Sequence, residues 1–177
     1  MSVVAQVAFR KGEFIQDLFV EAACESFIVH AEIRLHGVSY SAYGDCHPSV
    51  RPGRPISCRA PDWVVFDVTL PDDAAAQAFL QTACNSGLAY NFYPWRCVVA
   101  DPLPRAWETP DVDCNAPATW GSVFCSQLAF LFLKHCLGAE VPAMDSRGVS
   151  PIVLYYTVSH MGLRQHVCTP DCAGVPS

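Results

Sequence analysis

Polar and apolar side chains alternate most clearly over residues 26–35. Ile28, His30, Glu32 and Arg34 fall on one face, and Phe27, Val29, Ile33 and Leu35 on the other, the period of a strand. His36-Gly37 predicts a hairpin into a second strand over 38–43. Weaker alternation makes 2–9 a strand, and the apolar run 63–70 reads as a buried one. Residues 14–22 carry Phe14, Ile15, Leu18 and Phe19 at helical spacing. Pro71-Asp72-Asp73 opens a helix to about Asn85, with an acidic first turn and a stop at Ser86-Gly87. A further helix is expected over 119–137; its core, 124–135, is apolar on nearly every side and closes at Gly138. Ser150-Pro151 caps a short helix over 152–159. The proline-rich stretches 46–61 and 101–118 read as loops.

At 177 residues the chain is the length of one domain, placed at 1–160, with 161–177 as a C-terminal tail. Half of it is hydrophobic (51%) and only 16% charged, so a packed core is expected rather than disorder. A net charge of −6 gives no default basic face for a phosphate backbone, so no nucleic-acid partner is expected. The longest strongly apolar run, 128–133, is far short of the roughly 20 residues of a membrane span. The first ten residues lack the pattern of a secretory signal, so an intracellular protein is expected and its ten cysteines are read as free thiols. Oligomeric state is left open.

Trp120-Gly121-Ser122-Val123-Phe124-Cys125-Ser126-Gln127 places a cysteine at the start of the buried helix. Free backbone N–H groups and the helix dipole there favour a thiolate. His30 shares a strand face with Glu32, so a Cys–His–carboxylate relay is within reach of this pattern. Six histidines and ten cysteines also give many such pairs by chance.

The order of the motifs adds to this. Val4 to Phe9 with Arg10-Lys11-Gly12-Glu13, then Ser26-Phe27-Ile28-Val29-His30-Ala31-Glu32-Ile33, then Phe124-Cys125-Ser126-Gln127-Leu128 resembles the circularly permuted papain-like hydrolases. These are the YiiX-like and NlpC-type amidases and peptidases of bacteria and several large DNA viruses. Asp62-Trp63, Gly87-Leu88-Ala89-Tyr90 and Ser150-Pro151 follow in the family's order, so the likeness spans about residues 3 to 159. The family often has glutamate two positions after the cysteine, where this chain has Gln127, and the Asn-Cys-Glu-His phrase of the lipid-acyltransferase branch is absent.

The resemblance implies an α+β, circularly permuted papain-like fold, with an antiparallel sheet packed on a buried helix that carries the cysteine. It implies a cysteine peptidase or amidase with Cys125 as nucleophile and His30 as base, needing no cofactor or metal. Glu32 fits the orienting role, with Ser39 and Ser41 as rivals on the adjacent strand. The backbone N–H of Cys125 is the natural oxyanion donor. Trp120 and Tyr90 are candidate substrate contacts, with Tyr93, Trp95 and the arginines at 51, 54 and 59 also near the expected site, although such residues more often serve core or surface. The substrate would be a peptide or protein, and if the chain is viral its compartment would be the host cytoplasm.

Two other readings compete. His160, His166, Cys168 and Cys172 are zinc-capable, but their spacing fits no common finger and no CxxC pair occurs. A catalytically inactive papain-like binding module is the second, since a scaffold can outlast its chemistry.

Overall fold

The computed structural model describes residues 2–12, 27–43, 49–53, 63–90 and 113–167, without the side chains of His166 and Val167. The helix expected over 14–22, most of the loop over 101–118, and Arg54, Arg59, Tyr93, Trp95, Cys168 and Cys172 lie outside the described residues.

The opening alternation folds as β1 (Val3–Lys11) and the stronger one as β2 (Ile28–Leu35). β2 turns through His36 (φ 50°) and Gly37 (φ 74°) into β3 (Val38–Tyr43). Two successive left-handed residues make a type I′ turn, whose twist suits an antiparallel hairpin. β4 (Ser49–Gly53) then pairs with β3, correcting the loop expected over 46–61. Pro52 is accommodated because β4 is an edge strand.

β5 (Trp63–Leu70) returns beside β1 and leads to α1 (Asp73–Asn85), where Asp72 accepts from the Ala74 and Ala75 amides. β6 (Ala89–Tyr90) and β7 (Ser122–Val123) form a two-residue parallel pair. The helix expected over 119–137 begins only at α2 (Cys125–Leu137), because Pro117–Thr119 is a single 3-10 turn and Ser122–Val123 is extended. Ser150 caps α3 (Pro151–His160), with Pro151 in the first turn.

The tail expected over 161–177 is also corrected in part. Arg164–Val167 forms β8, a strand paired with β5 at the opposite edge of the sheet. Among the described residues the six main strands run β4-β3-β2-β1-β5-β8, all antiparallel, so with the three helices described the architecture is α+β.

Register divides the sheet into two unlike faces. Val7, Phe9, Ile33, Phe66 and Val68 join Leu128 and Phe132 of α2 and Leu154 and Val158 of α3 in the core. The other face carries Gln6, Ala8, His30, Glu32, Arg34 and Asp67. Every residue of α2 from Cys125 to Leu133 is buried, as expected of a helix surrounded by protein.

Candidate active site

Cys125 is the first residue of α2, and Phe124 before it is extended (φ −106°, ψ 170°) with no side-chain cap. The first-turn amides are therefore open to a ligand other than a cap. The sulfur uses that opening by accepting from the Ser126 amide, and it also accepts from the Ala31 amide on β2. The β2–β3 ladder runs from Leu35/Val38 to Ile33/Tyr40. Beyond it, the Ala31 carbonyl takes the Ser41 hydroxyl at 2.8 Å while its amide turns to the sulfur. The start of α2 is thus fastened to β2 one residue from His30.

Beside His30 the β1–β2 register slips, with Arg10 opposite His30 but Lys11 opposite Ile28, leaving Val29 as the extra residue of a bulge. Bulges of this kind re-aim a neighbouring side chain. The His30 ring hydrogen-bonds Cys125 and places Nε2 3.3 Å from Glu32 Oε1. Tyr43 lies tilted against the imidazole (5.8 Å between centroids), and Trp63 meets it edge to face (6.4 Å). The Tyr43 hydroxyl donates to the same Glu32 Oε1 at 3.3 Å.

Burial and charge pull against each other throughout this cluster. Cys125 is 5% exposed. Burial pushes its thiol up, but the His30 charge, the hydrogen bond from that ring and the Ala31 and Ser126 amides outweigh it and bring the thiol below its ordinary value. Burial also opposes a charged His30, yet Cys125 and Glu32 together raise it to about 10. Glu32, 6% exposed, is pushed up by burial and drawn below the usual carboxylate range by His30, Arg34 and Ser39. All three directions favour thiolate, imidazolium and carboxylate together. The His30 side chain, 17% exposed, is more open than Cys125.

Cys125, His30 and Glu32 are therefore brought into one cluster, while the rival orienting groups have other partners. Ser41 is spent on the Ala31 carbonyl, and Ser39 supports Glu32 rather than His30. Trp120, a candidate substrate contact, has partners within the fold. It is 5% exposed, its ring packs edge-on against Phe79 at 5.6 Å, and its Nε1 donates to the Asp113 carbonyl at 2.9 Å. Tyr90 is half-buried on β6, opposite Val123, two residues before the cysteine. Arg51 covers the far side of the relay, with its guanidinium 4.8 Å from the Tyr43 ring. Gln127 donates to the Ser146 hydroxyl at 3.2 Å and serves the loop beside α2.

Of the four zinc-capable residues, only His160 has a described side chain, and its Nδ1 lies 2.7 Å from the Tyr156 carbonyl oxygen. Among the described residues no three His, Cys, Asp or Glu side chains gather in a metal-binding group, and no helix is long and apolar enough to cross a membrane.

Tyr43 is the site residue that the sequence pattern did not single out. A signal for it existed in the two-residue turn at His36-Gly37. Continuing the hairpin pairing from Leu35/Val38 puts Tyr43 opposite His30 on the same face. In comparisons with known proteins, no family model matches the chain, and neither a curated protein nor a solved structure shows significant similarity to it.

Proposed function

We propose that the chain is a cysteine hydrolase acting on an amide, peptide or isopeptide bond, built as a papain-like domain in permuted order. The observation that carries this reading is the convergence of His30, backed by Glu32 at 3.3 Å, on a cysteine at the first residue of a buried helix, and the described thiols differ accordingly. Burial pushes Cys84 up and, with the Asp72 charge, takes Cys136 up to about 12, whereas Cys125 is drawn down against a heavier burial. A structural thiol has no need of an imidazole, two backbone amides and a carboxylate behind the imidazole; a nucleophile does.

The cycle follows from that geometry. The Cys125 thiolate attacks the carbonyl carbon, and the oxyanion forms near the start of α2, where backbone amides and the helix dipole favour negative charge. His30 gives its proton to the departing amine nitrogen as the C–N bond breaks, leaving a thioester on Cys125. Water then attacks the thioester carbon and passes a proton to His30. The C–S bond breaks, and the acid product leaves a thiolate facing an imidazolium again. Glu32 holds the ring at Nε2 and offsets its charge throughout.

Profiling the purified protein against a peptide and isopeptide library, with Cys125→Ala as the blank, tests the reading. The expected result is cleavage by the native protein alone and a thioester adduct on Cys125 under acid quench. Equal alkylation of Cys125, Cys84 and Cys136 by iodoacetamide near neutral pH, with no cleavage above the blank, would overturn it.

A further inference from the structure

We infer that Tyr43 is a positioning residue of the relay, acting on the nucleophile through Glu32; the inference rests on the reading of Cys125 and His30 as a working pair. Glu32 is a buried carboxylate, and burial by itself favours its neutral form. A neutral Glu32 would no longer offset the imidazolium, and the proton would fall back toward the sulfur. His30, the Arg34 charge and Ser39 oppose this, and the Tyr43 hydroxyl adds a further donor to the carboxylate at 3.3 Å.

Tyr43 differs from Ser39 in that it is placed against both the carboxylate and the imidazole. Its hydroxyl donates to Glu32 Oε1 at 3.3 Å while its ring lies against the His30 imidazole at 5.8 Å. One side chain therefore fixes the carboxylate and limits the tilt of the ring that the carboxylate holds. The oxygen it binds is the one facing His30 Nε2, so the phenol and the imidazole approach a single point from two strands. The Arg51 guanidinium, 4.8 Å from the phenol ring, holds Tyr43 in place from β4.

The test uses the full chain and needs no substrate, because the pH titration of the His30 ring followed by NMR reads the group that the carboxylate supports. Tyr43→Phe keeps the ring and removes the donor. Loss of a donor by the buried carboxylate weakens its hold on the imidazolium, so the alkaline limb of the His30 titration moves down from about 10 toward neutral pH. In a Glu32→Gln background the same substitution shifts nothing further, because the group through which it acts is already gone. Replacement of Tyr43 by 3-fluorotyrosine, a better donor of unchanged shape, moves the limb the other way and covers the case in which Tyr43→Phe does not fold.

An unmoved limb in folded Tyr43→Phe, or an equal shift in the Glu32→Gln background, overturns the role of Tyr43 alone. The same holds for an unmoved limb with 3-fluorotyrosine. Failure of the native Cys125 to react faster than Cys84 with iodoacetamide, or independence of its rate from His30, overturns the dyad reading instead.

Discussion

His30 and Glu32 stand two positions apart on a single strand, and the carboxylate reaches back to the imidazole at 3.3 Å. Residues two apart on a strand share a face, so this half of the relay is written into a local stretch of β2. Only the sulfur has to be delivered from elsewhere, and it arrives on a helix whose first residue bonds the strand at Ala31.

The acidity of the cluster sets the pH response. His30 is raised, so its charged form is present below about 10 and lost as pH climbs through that value. Cys125 is lowered, so its thiolate is present at neutral pH and lost as pH falls through the depressed value. Hydrolysis requires both charges and is expected to follow a bell with its alkaline limb near 10. Alkylation requires only the sulfur and should keep its rate above that limb. Stopped-time alkylation and turnover measured over the same pH series check the contrast.

Glu32→Gln keeps the shape and removes the charge behind the ring. With one of the groups that raise His30 gone, the alkaline limb should move toward neutral pH. Turnover is expected to fall by roughly 100-fold, the lower end of what a positioned acid–base group supplies. An alkaline limb that stays in place would detach the carboxylate from the imidazole.

Trp120 is expected to matter for stability and not for substrate. Trp120→Phe retains the contact with Phe79 but loses the bond to the Asp113 carbonyl, at a cost of about 1 kcal/mol. For a chain of this size that lowers Tm by about 2–4 °C. KM for any substrate found should be unchanged; a large rise would return Trp120 to the substrate wall.

Gly37 tests the hairpin that aligns Tyr43 with His30. A methyl group at Gly37 would meet nothing within 4 Å, so the left-handed φ of 74° is the sole constraint. Gly37→Ala should cost about 1–2 kcal/mol, visible as a lower melting temperature with the alkylation profile of Cys125 retained.

The sequence was most legible where one element settles its own structure. The alternation of 26–35 put His30 and Glu32 on one face, and the unbroken apolar run of α2 marked a helix sunk in protein. It was least legible where short segments owe their form to a distant neighbour. Ser49–Gly53, with Pro52 and Gly53, has the composition of a loop and is held extended by β3. Arg164–Val167 is polar and four residues long, and only β5 makes it a strand. The two-residue pairing of Ala89–Tyr90 with Ser122–Val123 likewise sets where α2 begins, and no periodicity reports a match so brief. Within the site, the Ala31 amide and the Tyr43 hydroxyl escaped notice because backbone donors and cross-strand partners leave no mark in a search for Cys, His and carboxylates.

The attachment of Cys125 to the Ala31 amide has a consequence for the newly made chain. β2 and its hairpin leave the ribosome long before the helix that bears the sulfur, and until that helix docks the thiol keeps the ordinary, sluggish acidity of an unfolded cysteine. On the proposed reading, reactivity at the sulfur therefore arises only once α2 has docked on β2, and the thiol of a half-finished chain stays as inert as any other.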